Sequence, residues 1–251
     1  MADARLYRRA TASALVIGPG LFFLDNLIHP KEVARGNEAE QLRLIAADAD
    51  RWQVAHLVGF LGLIAICAAV LGLAWVARRS SPVLGLWAGA AGVVGALGFA
   101  FAFALDGYTW GVLGEVSGRA GSDPATIEAA LGEIQQSNWS LPYYALAVVG
   151  FVGGMLALAW GLARGAWVSR WAAALLGLGA LAVAIEGTIA SNAYFVGSSG
   201  LFLIGAAAVA RELSRVPDTR LAALPGAERQ VSFTIAITIE AIRQATRTMI
   251  M

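Results

Sequence analysis

Charge is scarce in this chain. Only 14% of its 251 residues are charged, 58% are hydrophobic, and the mean hydropathy is +0.67; a soluble domain carries about 25% charged residues. That deficit excludes an ordinary water-soluble globule. A net charge of +1 offers no basic surface for nucleic acid. Cysteine is reduced to Cys67, in the middle of an apolar run, which excludes a disulfide framework and a cysteine metal cluster. A lone buried cysteine acts as a small apolar filler. There are only two histidines, His29 and His56, and the paired histidine ligands on long helices expected for haem are lacking. Gly-x-Ser-x-Gly, P-loop and CxxC patterns are also missing, so no reaction is written in a local motif.

What is present is a set of long apolar runs. Spanning a bilayer takes about 20 apolar residues per helix, whose backbone polar groups are satisfied within the helix. The runs are continuous and rich in Ala, Leu and Gly rather than alternating, which rejects a transmembrane β-barrel. They predict an all-α membrane protein, a bundle of six transmembrane helices at roughly 11–29, 54–76, 83–105, 140–162, 171–190 and 193–210. Arg8 and Arg9 before the first run resemble a signal peptide, but no small-x-small cleavage site follows, so the run reads as an uncleaved first span.

Arginine sets the expected orientation. Arg5, Arg8 and Arg9 precede span 1, Arg78 and Arg79 join spans 2 and 3, Arg164 and Arg170 join spans 4 and 5, and Arg211, Arg215 and Arg220 follow span 6. Lys31, Arg35, Arg43, Arg51 and Arg119 are the five basic residues of the opposite loops, against 13 of the 18 on the arginine side. The protein is expected in the plasma membrane with both termini cytoplasmic, N-in and C-in. Tryptophan agrees with this frame, since indoles prefer the membrane interface. Trp75, Trp87, Trp160, Trp167 and Trp171 mark the cytoplasmic boundary, and Trp52, Trp110 and Trp139 the outer one.

The two outer loops read as short amphipathic helices over the outer mouth of the bundle, or as connectors resting on headgroups. Asn37 with Glu40 resembles a capping box ahead of Leu42 and Ile45. Ser122-Asp123-Pro124 starts a second helix, with Ile127, Leu131 and Ile134 at helical spacing. Small residues permit close helix approach in lipid. The row Gly85, Gly89, Gly92, Gly95 and Gly98, with Gly150, Gly153 and Gly154, therefore makes spans 3 and 4 central. Gly18-Pro19-Gly20 predicts a kink or broken turn in span 1. Trp52 with Leu73-Ala74-Trp75, and Trp139 with Leu158-Ala159-Trp160, hint at a duplicated helical hairpin that would make Asp106 and Glu186 equivalent.

The few polar side chains of the spans gather near one face. Asp25, Asn26 and His29 end span 1, Trp52 and His56 begin span 2, Asp106, Tyr108 and Trp110 end span 3, and Asn138, Tyr143 and Tyr144 begin span 4. Glu186, Ser191 and Asn192 end span 5, and Tyr194 begins span 6. Asp25 and Glu186 lie about one turn inside their predicted helix ends, where a carboxylate must be wet, paired or protonated. Asp25 and His29 are i,i+4 and share one face of span 1.

Three functions fit. A binder or carrier of a small solute, a proton or a lipid would use Asp25, His29, His56, Asp106, Glu186 and Asn192, without a cofactor and without being an enzyme. An intramembrane metal-dependent enzyme would hold zinc or iron on His29, His56 and Glu186. An accessory or scaffold subunit would offer its polar cap to a larger membrane complex. Membrane lipids are the expected partners, and six spans are few for a monomeric carrier, which points to a homo-oligomer or larger complex.

Residues 1–213 form the expected bundle, and 214–251 a cytoplasmic linker and tail. The stretch 231–242 turns abruptly to Ile and Thr, too short to span and readable as a surface helix or a strand. A span ending His29-Pro30, a loop, then Arg51-Trp52-x-x-Ala55-His56-Leu57 leading into a Gly/Leu-rich span resembles a class of uncharacterised bacterial, actinobacterial-type, multi-span integral membrane proteins. The resemblance covers roughly residues 10–213 and implies a compact plasma-membrane helical bundle with no activity to carry onto these residues.

Overall fold

A computed structural model describes residues 2–30, 37–119, 121–136, 140–185, 189 and 191–222. Among them there are helices and no strands. Five helices are long and apolar enough to cross a membrane: α1 (Ala2–Ile28), α3 (Ala49–Ala77), α4 (Pro82–Ser117), α6 (Ser140–Arg164) and α8 (Asn192–Ser214). A sixth apolar helix, α7 (Arg170–Ile185), has 16 residues. Short helices α2 (Glu38–Ala47), α5 (Pro124–Gln136) and α9 (Asp218–Ala222) complete the order.

The long helices close a ring. Each packs on two others, in the order α1, α3, α4, α6, α7, α8 and back to α1, with α3 also touching α6 across the middle. One end of the ring is basic. There Arg5 and Arg8 at the start of α1 pair with Asp218 at 3.0 and 3.1 Å, Arg79 donates to the Leu221 carbonyl at 2.6 Å, and Arg220 donates to the Gly165 carbonyl at 3.0 Å. The other end holds the histidines.

Glycine sets the helix spacing, as the small-residue row predicts. A Cβ on Gly95 of α4 would fall 1.9 Å from the Phe151 amide nitrogen of α6, and one on Gly154 would fall 2.4 Å from the Gly92 nitrogen. The two backbones therefore touch. Phe151, Met155 and Leu158 of α6 fill the buried core beside Val70 and Leu73 of α3.

Several local expectations need correction. α1 runs through Pro19 as one helix with no broken turn; Gly18 lies hard against Ile66 of α3, so the neighbour braces this stretch. α4 has 36 residues, far beyond the expected end at 105 and longer than the ~20 residues a bilayer core needs. Asp106-Gly107 therefore sits within the helix rather than at its end. The loop helices α2 and α5 do form, but α2 packs on the α4 overhang: Ile45 and Leu42 are buried, with Ile45 against Gly114. The capping box does not form, because Asn37 makes no side-chain cap bond and Glu40 chelates Arg43 instead.

Two tryptophans leave their expected boundary roles. Trp52 and Trp167 are buried and donate N–H bonds inside the protein, to the Gly107 carbonyl at 3.1 Å and to Ser80 Oγ at 3.3 Å. The expected linker is anchored as far as it is described: Val216 and Leu221 are buried against the bundle. Residues 227–251, and with them the Ile/Thr stretch, lie outside the described residues. The α6–α7 turn closes with Trp167 N–H donating to the Leu162 carbonyl and Ala166 N–H to that of Ala163, and Ala166 takes φ 50°. That is a Schellman ending with alanine where glycine is commoner.

Candidate functional site

Four helices, α1, α3, α4 and α8, build the histidine end. His56 lies one turn after Trp52 on α3, and both face α4. His56 Nδ1 lies 3.0 Å from the Trp52 carbonyl, and His56 Nε2 lies 3.3 Å from Asp106 Oδ2 of α4. Gly107 makes this approach possible: a Cβ there would stand 2.5 Å from His56 Cβ and 2.7 Å from Cγ. From α1 comes His29, beyond the last residue of the helix. Its ring sits 5.0 Å from His56 and 4.8 Å from Trp52, centre to centre. Phe103 closes the floor at 5.5 Å from the His56 ring.

Asp25 lies beneath the imidazoles and is 0% exposed. Its carboxylate rests on the backbone of Gly59, where a Cβ would meet Oδ2 at 2.8 Å. Asp25 is near enough to act electrostatically on His56. Asn192, the first residue of α8, donates to the Pro30 carbonyl at 3.4 Å, and His29 Nδ1 approaches the same oxygen at 2.8 Å. Asp25, His29, His56, Asp106 and Asn192 thus come together. Glu186 and Asn138 lie outside the described residues, and with Glu186 goes the comparison of the two hairpins. Tyr108 turns outward at 73% exposure. Tyr194 donates to the Ala182 carbonyl at 3.1 Å and ties α8 to α7.

The proton count at His56 is the main chemical fact. A carbonyl oxygen only accepts, so Nδ1 carries a hydrogen. The lone pair of a neutral ring is then on Nε2, facing a carboxylate. Nε2 and Oδ2 attract only if one more proton is present, either on the ring as imidazolium or on Asp106 as the acid. With that proton the contact is cohesive, and without it the lone pair and the carboxylate repel. Asp106 is 45% exposed at its side chain while His56 is 6% exposed, so the pair has a wet face and a dry one.

His29 behaves differently. Burial first, then the neighbouring His56, pulls its imidazole from 6.5 to about 4. It is neutral at pH 7, with Nδ1–H bonded to Pro30. The unfolded ring takes up a proton below 6.5 and the folded one resists until about 4. Stability is therefore complete above pH 6.5 and falls as pH drops through that window. Between pH 7 and 4 the loss is about 3 kcal/mol. The melting temperature of the purified protein is expected to fall over this range, and His29→Gln is expected to flatten the fall. An unchanged slope in the variant would remove His29 from the account.

Among the described residues, no three His, Cys, Asp or Glu side chains gather in a metal-binding set. Both Nδ1 atoms approach backbone carbonyls, and His56 Nε2 faces Asp106. Glu186, the third ligand of the metal reading, is not among the described residues.

Three contacts at this end were not foreseen from the sequence, although Trp52 itself was placed at the polar face. Trp52 bridges α3 to α4, Gly107 opens the space for the imidazole, and Arg51 donates to the Ile28 carbonyl beside His29. The Trp52/His56 spacing of four residues was the available signal for the first. No family model, curated protein or solved structure matches the chain.

Proposed function

We propose that this is a six-span plasma-membrane protein with both termini cytoplasmic, whose outward-facing pocket holds a proton on His56 and Asp106 and uses it to bind or carry a small solute. The carrying observation is the hydrogen-bond count at His56, which makes the pair cohesive only in its protonated form.

The six-span count is supported by which end each helix reaches. α7 leaves the basic end, where Ser169 bonds Glu212 of α8, and α8 starts again at the histidine end, where Asn192 bonds Pro30. α7 therefore runs from the basic end toward the histidine end, and at 1.5 Å per residue its 16 residues are about 24 Å long. The basic end faces the cytoplasm by the positive-inside bias. The histidine end then opens outward, under α2 and the α4 overhang.

Nitrogen NMR of histidine-labelled protein tests the proton store, since two residues give a simple spectrum. At neutral pH, His56 is expected as imidazolium, or else Asp106 shows a carboxylic-acid carbonyl band in the infrared. In Asp106→Asn the amide donates to Nε2, and His56 is expected as the neutral Nδ1–H form with no acid band. A wild-type protein with neutral His56 and ionised Asp106 together would end this reading.

A further inference from the structure

We propose that the basic end carries a second site, for the phosphate of an acidic phospholipid headgroup, in the cleft between the α6–α7 turn and the end of α8. The cleft measures about 660 Å³, and Arg164, Arg170, Arg215 and Arg220 line it with Trp167 and Glu212. Four arginines and one carboxylate line it. That carboxylate is already engaged, since its two oxygens bond the Ser169 amide and hydroxyl. Among the described residues, no carboxylate pairs with Arg164, Arg170 or Arg215. Arg220 is fixed by the Gly165 carbonyl and lies 4.4 Å above the Trp167 ring.

Tryptophan gives the depth of the cleft. Trp160 and Trp171 are 62% and 82% exposed on the outer faces of α6 and α7, and an exposed indole settles at the boundary between headgroups and acyl chains. Arg164 lies four residues beyond Trp160, ~6 Å nearer the aqueous side, and Arg170 directly precedes Trp171. These guanidiniums stand at the level of lipid phosphates. The guanidinium fork matches phosphate oxygens two at a time, and basic pockets between spans bind acidic headgroups. The orientation bias accounts for the sign of this end, but not for four arginines lining one open cleft against a single carboxylate. The site is at the opposite end from His56 and Asp106 and stands or falls separately from that pair.

The test is lipid binding by the full-length protein in detergent, read by native mass spectrometry, with phosphatidylglycerol, phosphatidylcholine and inorganic phosphate as three probes. Arg170→Gln/Arg215→Gln leaves Arg220 and Trp167 in place. Each arginine removed is expected to weaken phosphatidylglycerol binding about fivefold and to leave phosphatidylcholine binding unchanged. Arg164→Gln alone is the second variant, should the double variant misfold, with the same single-step loss expected. Equal affinity of wild type and variants for phosphatidylglycerol overturns the site. So does wild-type binding of phosphatidylcholine as tight as that of phosphatidylglycerol. An arginine-dependent response to inorganic phosphate that phosphatidylglycerol does not exceed overturns the lipid and assigns the cleft to a soluble anion.

Discussion

Gly95→Leu is expected to abolish the folded bundle. A Cβ at this position would lie 1.9 Å from the Phe151 nitrogen and 2.5 Å from the Gly150 carbonyl carbon. Both are backbone atoms of α6, so no rotamer change relieves the clash and the two helices must part. Overpacking a core costs about 1–3 kcal/mol when side chains can adjust; with backbone on both sides the cost is expected at about 3 kcal/mol or more. The same seam holds Phe151 and Met155, so parting the helices also exposes core. Gly153→Ala is the control: nothing lies within 4 Å of its added Cβ, and alanine favours a helix by about 0.5–1 kcal/mol. Melting in detergent, followed by size-exclusion fluorescence, separates the two. A Gly95→Leu protein that melts like wild type would mean that α4 and α6 do not meet here.

The second large effect concerns the proton store. His56→Gln and Asp106→Asn should each remove one bound proton, measured as proton release on unfolding at neutral pH. Because the proton belongs to the pair, the double variant should lose no more than either single one. Residues that act as one unit give such non-additive cycles. Independent, additive losses would mean that the two groups titrate alone. A fall in stability is expected alongside, since His56→Gln leaves the buried Trp52 carbonyl without its imidazole donor, at about 1–3 kcal/mol.

How far the sequence revealed this arrangement depends on which force decided each element. Long apolar runs are set by transfer into lipid, a local and additive quantity, and their helices are where composition puts them. Asp25, His29 and His56 were visible because an ionisable group in an apolar run needs a partner, whatever the fold. Trp52 was misread because the preference of indole for the interface is an average over lipid-facing positions, and this indole faces a carbonyl on the next helix. The end of α4 was misplaced for a similar reason. Asp106-Gly107 looks like a stop when only local polarity counts, but α2 covers the following three turns and keeps them helical. The Gly18-Pro19-Gly20 segment looked broken in isolation and stays helical where Gly18 packs against α3. Contacts between distant segments decided each of these outcomes, and local pattern carries no information about them.

The closed ring of helices has a consequence for how the protein is made. α1 emerges from the ribosome before the rest of the ring, yet one of its two flanking neighbours is α8, which emerges nearly 200 residues later. Until then, the side of α1 that ends against α8 must rest on lipid or on the insertion machinery. The ring closes only once α8 has been made, when Asp218 arrives to meet Arg5 and Arg8 and fastens α9 to α1. A nascent chain stalled after α7 would therefore be an open crescent, recognisable to membrane quality control by an unlatched N-terminal helix.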